Sequence, residues 1–271
     1  MYEKDEHMPE SELTVVKQAV REAGQAILRI ADEHYPEAAS HVDRTIVTKA
    51  DIEADRILQS HLRKAFPGHG WLSEETKDDE SRFTRDRVWI VDPMDGTREF
   101  VMKVPEFVVS VALAEKGDII LGVIYNPVTD ELYEAVRDAG TKLNHQPVSC
   151  DHKLADKPKV EVSRSDIEKG LFTDYETSLD LRACGSIAYK LARLSAGKSD
   201  ATLSVTPKNE WDIAAGILLV KEGGGRITDL EGQAHCFNQR DTLLNGVIAA
   251  SSAAYEKIHK TVMTVRGQDR E

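Results

Sequence analysis

The chain has 271 residues, 41% of them hydrophobic, and a formal net charge of −12, which is enough for one large domain or two lobes sharing a core. No apolar run approaches the roughly 18 residues of a membrane-spanning helix, and 35 basic against 47 acidic residues leave no basic face for a nucleic-acid polymer. The acidic start MYEKDEHMPESE lacks the features of a signal peptide, and the widely spaced Cys150, Cys184 and Cys236 predict neither a disulfide framework nor a Cys-x-x-Cys metal site, so a reducing cytoplasm is the expected setting.

Leu13, Val16, Val20, Ala23, Ile27 and Ile30 recur at spacings of three and four and predict a helix over 11–31. A second helix is predicted over 52–66, with Ile57, Leu58, Leu62 and Ala65 inward, stopped by Pro67-Gly68. Val88-Trp89-Ile90-Val91 reads as a short buried strand. Residues 108–113 and 119–125 read as a hairpin around Glu115-Lys116-Gly117-Asp118, with a further strand over 132–136. Past Cys150 come a strand over 160–163 and a helix over 187–196 that ends at Gly197. A helix over 211–221 runs into the glycines at 223–225, followed by a strand over 247–250 and a closing helix over 253–265. Asp, Lys and Pro accumulate over 150–159 and mark a soft boundary between a lobe at 1–150 and a lobe at 151–271 of one structural unit. Helices and strands alternate without βαβ regularity, which predicts a layered α/β fold with mixed sheets.

The sharpest chemical signal is Asp92-Pro93-Met94-Asp95-Gly96-Thr97, directly after the strand at 88–91. A turn made by Pro and Gly would aim both carboxylates and the Met94 carbonyl at one point. Hard oxygen ligands of this kind suit Mg²⁺, and the Gly96 and Thr97 amides would be free to hold phosphate oxygens. The competing reading is a common surface turn. Three further acidic positions are weak alone: Glu74-Glu75 as a solvated pair, Asp212 as a helix N-cap, and Asp51 as a cap of the second helix. Gly197-Lys198-Ser199 imitates the end of a P-loop, but its first glycine position holds Ala192.

Taken in order, VTKAD (47–51), LSEE (72–75), WIVDPMDGT (89–97), CGS (184–186) and WDIAAG (211–216) resemble the inositol monophosphatase-like superfamily of metal-dependent, lithium-sensitive phosphatases. The resemblance implies the family's layered α-β-α-β-α sandwich with mixed sheets. It also implies Mg²⁺ at two or three ions per site, a small-molecule phosphate ester as partner, and a homodimer. Carried over by position, Glu74, Asp92 and the Met94 carbonyl would hold the first metal, and Asp92, Asp95 and Asp212 the second. Thr97, hydrogen-bonded to Asp51, would orient and help deprotonate the attacking water together with Glu74, while Asp95, Gly96 and Thr97 would grip the phosphate. Glu75 is the neighbour and not the expected ligand.

Two branches of the superfamily compete for the substrate. Arg98-Glu99-Phe100, Ser163-Arg164-Ser165 and Pro207 resemble the 3′(2′),5′-bisphosphate nucleotidases, and Val205 stands where inositol enzymes carry a sugar-binding Glu. Asp166 departs from the nucleotidase His. The expected substrate is adenosine 3′,5′-bisphosphate, read by Ser163, Arg164, Gly185, Ser186 and Val205, with Val205 facing base or ribose. The alternative is inositol 1-phosphate; fructose 1,6-bisphosphate, histidinol phosphate and NADP stand behind both. A regulatory relative that kept the fold and lost catalysis is the reading from another class.

Overall fold

The computed structural model describes residues 9–34 and 44–268. Its helices are α1 (Glu10–His34), α2 (Arg44–Ala65), α3 (Thr97–Val101), α4 (Arg164–Glu168), α5 (Ile187–Ser195), α6 (Glu210–Glu222) and α7 (Tyr255–Gln268). The first sheet contains β1 (Gly70–Ser73), β2 (Arg87–Asp95), β3 (Val108–Glu115), β4 (Asp118–Asn126), β5 (Glu131–Val136), β6 (Thr141–Leu143) and β7 (Gln146–Val148), side by side in chain order. Within it β1 and β2 are parallel and the other neighbours antiparallel. The remaining strands are β8 (Lys159–Ser163), β9 (Asp180–Cys184), β10 (Ala201–Ser204), β11 (Lys208–Asn209), β12 (Gly225–Thr228), β13 (Leu243–Leu244) and β14 (Val247–Ser251). They form a mixed sheet in the order β12-β14-β10-β8-β9 and a two-stranded ribbon of β11 and β13.

Three apolar clusters stack these elements into five layers. Val16, Val20, Ile27, Leu58 and Leu62 of α1 and α2 close on Trp89, Val91, Val111 and Val123, one face of the first sheet. The other face, through Val88, Ile90, Ile124 and Tyr133, meets α5 and α6, which also cover Ile227, Val247 and Ala249 of the second sheet. The far side of that sheet, with Val160, Leu203 and Ile248, is covered by Tyr255, Ile258 and Val262 of α7. The central strands are therefore buried on both faces, which is why β2 to β4 read as nearly continuous apolar runs instead of alternating ones. The expected α-β-α-β-α sandwich is what forms.

Two sequence readings are corrected here. The second helix begins at Arg44, not at 52, so Asp51 lies inside α2 and caps nothing. The Asp92-Pro93-Met94-Asp95 segment is not a turn but the end of strand β2.

Candidate active site

In a regular strand, residues three apart point to opposite faces, so Asp92 and Asp95 on an ideal β2 would diverge. The pairing shows how they do not: Asp92 sits opposite Ser110 but Asp95 opposite Val108. Three steps on β2 match two on β3, a bulge that inserts one residue and flips the alternation. Pro93, which has no N–H to give a ladder, falls inside this irregular stretch. Val88 and Ile90 face the α5/α6 side, while Met94 joins Trp89 and Val91 on the opposite side. Asp95 is thereby returned to the α5 side, where its Oδ2 accepts from Ala188 N at 2.7 Å and Ser186 Oγ at 2.6 Å. Gly96 then leaves the strand at φ 102°, and a Cβ there would stand 2.7 Å from Glu106 O, so only glycine fits.

Asp212 approaches from the second half of the chain. It is not the N-cap of α6 but its third residue, in a capping box with Asn209, whose N–H donates to Asp212 Oδ2 at 2.8 Å. Asp92 follows the same pattern, its Oδ1 accepting from Met94 N at 3.0 Å. Three aspartates from two distant segments thus each have one carboxylate oxygen held by a backbone amide, which fixes their orientation.

Their electrostatics shows how close they come. Burial pushes Asp92 well above the usual carboxylate range, and Asp95, Glu74 and Asp212 push it further. Asp212 is raised to about 7 by burial and by Asp95. Glu74, hydrogen-bonded to Asp92, is raised to about 7 by desolvation, Asp95 and Glu75, although part of its side chain faces solvent. Asp51 is raised to about 8 by burial and by Glu75 and Glu74. Among the described residues no three His, Cys, Asp or Glu side chains already close on a single point. The donor set still fits a hard divalent cation: it is all oxygen, rich in carboxyl groups, and relieved of mutual repulsion by positive charge.

Other expectations are met unevenly. Thr97 does not donate to Asp51; its hydroxyl has one proton and gives it to the Met94 carbonyl at 3.3 Å. Arg164 is already paired, its Nη2 donating to Glu106 Oε2 at 2.7 Å, and the same oxygen accepts from Gly185 N at 2.7 Å. Val205, just past the end of β10, is half-buried and packs against the cluster under α7. Asp166 is buried in the first turn of α4, not turned to solvent. Glu99 is buried directly under Gly185, where a Cβ would stand 2.2 Å from Glu99 Cγ. Ser186 caps α5, accepting from Tyr189 N at 2.9 Å, at φ 48° and ψ 119°; for a non-glycine residue this costs about 1–3 kcal/mol.

The sequence reading missed the residues that brace these groups. Asp55, one turn after Asp51, accepts from Ser73 Oγ at 2.7 Å, Thr76 Oγ1 at 2.8 Å and Gln59 Nε2 at 2.6 Å, and so straps the Glu74-Glu75 loop to α2. Its four-residue spacing from Asp51 was the available signal. Glu210, fully buried, accepts from Asn238 N at 2.6 Å and Gln239 N at 2.7 Å. Buried Arg82 grips the same two residues, through Asn238 Oδ1 at 2.5 Å and Gln239 O at 2.8 Å. No local pattern in the sequence announces that knot.

Residues 8–266 match the Inositol monophosphatase family. This chain belongs to the inositol monophosphatase family. An inositol-1-monophosphatase of Mesorhizobium japonicum is 34% identical over 90% of this chain and 93% of its own length. The Nus factor SuhB of Pasteurella multocida is 32% identical over 81% of this chain and 85% of its own. Among solved structures, the extragenic suppressor protein suhB of Bartonella henselae superposes with a TM-score of 0.76 at 31% identity, covering 92% of this chain and 97% of that one. Inositol monophosphatase family members hydrolyse phosphoric monoesters, and this chain is such a hydrolase. None of these three relatives carries a nucleotidase name, and the resemblance to the nucleotidase branch is not what they support. No helix among the described residues is long and apolar enough to cross a membrane.

Proposed function

We propose that the chain is a Mg²⁺-dependent phosphomonoesterase whose substrate is a polyol monophosphate of the inositol 1-phosphate kind. The observation that carries this is the trio Asp92, Asp95 and Asp212, each oriented through one oxygen by a backbone amide and close enough to perturb one another. Glu74, Asp92 and the Met94 carbonyl would hold one ion, and Asp92, Asp95 and Asp212 another. When bound, Mg²⁺ supplies neutralisation of the ester's charge and a water of lowered pKa. Asp51, beside Glu74, would be the group placed to take up the proton of the attacking water. Thr97 steadies the Met94 carbonyl by donating to it. The Gly96 and Thr97 amides begin a helix, where N–H groups lack carbonyl partners and suit phosphate oxygens.

The preference for a polyol over adenosine 3′,5′-bisphosphate rests on three supports. The relatives include inositol-1-monophosphatases. Val205 is half-buried against the cluster under α7, and Arg164 already serves Glu106, so two of the five residues expected to read a nucleotide are engaged elsewhere. We keep the division near residue 150 as part of this proposal, because all strands of the first sheet precede residue 149 and those of the second follow 158.

The test is a side-by-side panel of inositol 1-phosphate, adenosine 3′,5′-bisphosphate and fructose 1,6-bisphosphate, with and without Mg²⁺. Inositol 1-phosphate is expected to give the highest kcat/KM. A tenfold preference for the nucleotide would reverse the substrate assignment. Absence of turnover on every ester by folded protein would favour a regulatory relative.

A further inference from the structure

Lys190, in the first turn of α5, is fully buried. An ammonium taken from water is normally kept only when a carboxylate pairs it. Here its three acceptors are neutral: Cys184 O at 3.2 Å, Ser163 Oγ at 3.4 Å and Gly185 O at 3.5 Å. They come from the end of β8, the end of β9 and the turn that follows. Two of them are consecutive carbonyls. In an extended chain successive carbonyls point to opposite sides, so holding both toward one ammonium forces the backbone to turn there. That turn is where Ser186 takes φ 48°. In this conformation the Ser186 hydroxyl accepts from Tyr189 N and donates to Asp95 Oδ2, while Ala188 N donates to the same oxygen.

We propose that Lys190 is a positioning residue for the metal centre, holding the Cys184–Ser186 turn so that Ser186 and Ala188 fix the Asp95 carboxylate for its cation. The inference rests on the assignment of Asp95 as a Mg²⁺ ligand. Lys190 touches neither substrate nor metal; its effect passes through the turn. Groups that orient a metal-binding carboxylate typically change metal affinity by about 10–100-fold.

Two mechanisms would make Lys190 matter, and they have opposite signs. If its charge acted through space on the acidic centre, removing it would tighten cation binding. If it acts through the turn, removing it loosens Asp95 and weakens binding. A double-mutant cycle separates a shared route from independent ones. Mg²⁺ binding is titrated by calorimetry on the full chain and on Lys190→Met, Ser186→Ala and the double variant. Each single substitution is expected to weaken Mg²⁺ binding about tenfold, with the double variant no more than about twofold worse than the weaker single. The half-saturating Mg²⁺ for turnover rises in parallel, and Lys190→Arg, which keeps cation and donors, recovers part of the loss. Unchanged or tighter binding in Lys190→Met, or losses that multiply in the double variant, would overturn the proposal. Should Lys190→Met not fold, Lys190→Gln enters the same cycle and the same results decide. Failure of the parent chain itself to bind Mg²⁺ would instead strike at the assignment of the metal site.

Discussion

Helices α2 and α6 each bring two acids toward the centre, and in each helix the two behave differently. On α2, Asp55 is saturated by three side-chain donors, while Asp51, one turn earlier, faces Glu74 and Glu75 and is pushed up to about 8. On α6, Glu210 has both oxygens occupied by the amides of Asn238 and Gln239, while Asp212 has one oxygen capped and Asp95 and Glu74 for neighbours. Glu210 is the more buried of its pair and burial raises it to about 7 as well, so neither burial nor charge type sets the two kinds apart. What differs is whether neutral donors or other carboxylates surround the group. An acid filled with donors is a structural part; an acid among acids is destabilising unless a cation joins it.

The widest separation between the two kinds should appear in turnover. Asp212→Asn is expected to lower kcat/KM by more than about a hundredfold, beyond the usual effect of outer partners, without loss of folding. A kinetic assay at high Mg²⁺ together with circular dichroism checks both halves, and near-normal activity would erase the distinction on α6. Glu210→Gln should do the reverse. One of the two part-buried backbone amides loses its acceptor, a cost of about 1–3 kcal/mol, or several degrees in Tm for a chain of this size, with kcat at saturating Mg²⁺ largely retained. A melting curve that does not move would make Glu210 the wrong example of a structural acid.

The pH dependence of the metal-free protein sharpens the contrast further. Carboxyls raised in the folded state favour folding at low pH, and that contribution is lost as pH rises through their folded values. With ordinary carboxyl values near 4 in the unfolded chain, and Glu74, Asp212 and Glu210 at about 7 and Asp51 at about 8, the loss runs from about pH 4 to pH 8. In chelator, Tm should therefore fall between about pH 4 and pH 8, and Mg²⁺ should reduce the fall. Asp212→Asn should flatten it in the metal-free state; an equally steep curve would show that the centre is not its source. The smallest effect is expected at Val205. Val205→Ala should cost about 1 kcal/mol as a trimmed core side chain and change the ratio of kcat/KM between inositol 1-phosphate and adenosine 3′,5′-bisphosphate less than about twofold. A large change in that ratio would return Val205 to the substrate wall.

Much of this was written locally. The 3.6-residue periodicity around Val16 and Ile27, the apolar runs of β2 to β4 and the glycines after α6 located most long elements, because burial on one or both faces leaves a periodic or continuous mark. The acidic motifs around Asp92, Glu74 and Asp212 were legible as well, since the chemistry of a hard cation restricts which side chains serve. The short strands β6, β9, β11 and β12 left no such mark; their pairing is set by neighbours far along the chain. The bulge between Asp92 and Asp95 was equally invisible, because it exists only against the register of β3, and without it the two carboxylates would face apart. The packing of Val205 depends on the cluster under α7, and the partner of Arg164 on a loop 58 residues upstream. Residue type and local period are properties of the chain and can be read along it. Donor counts, register and the facing of a side chain are properties of pairs of segments, and only their packing decides them.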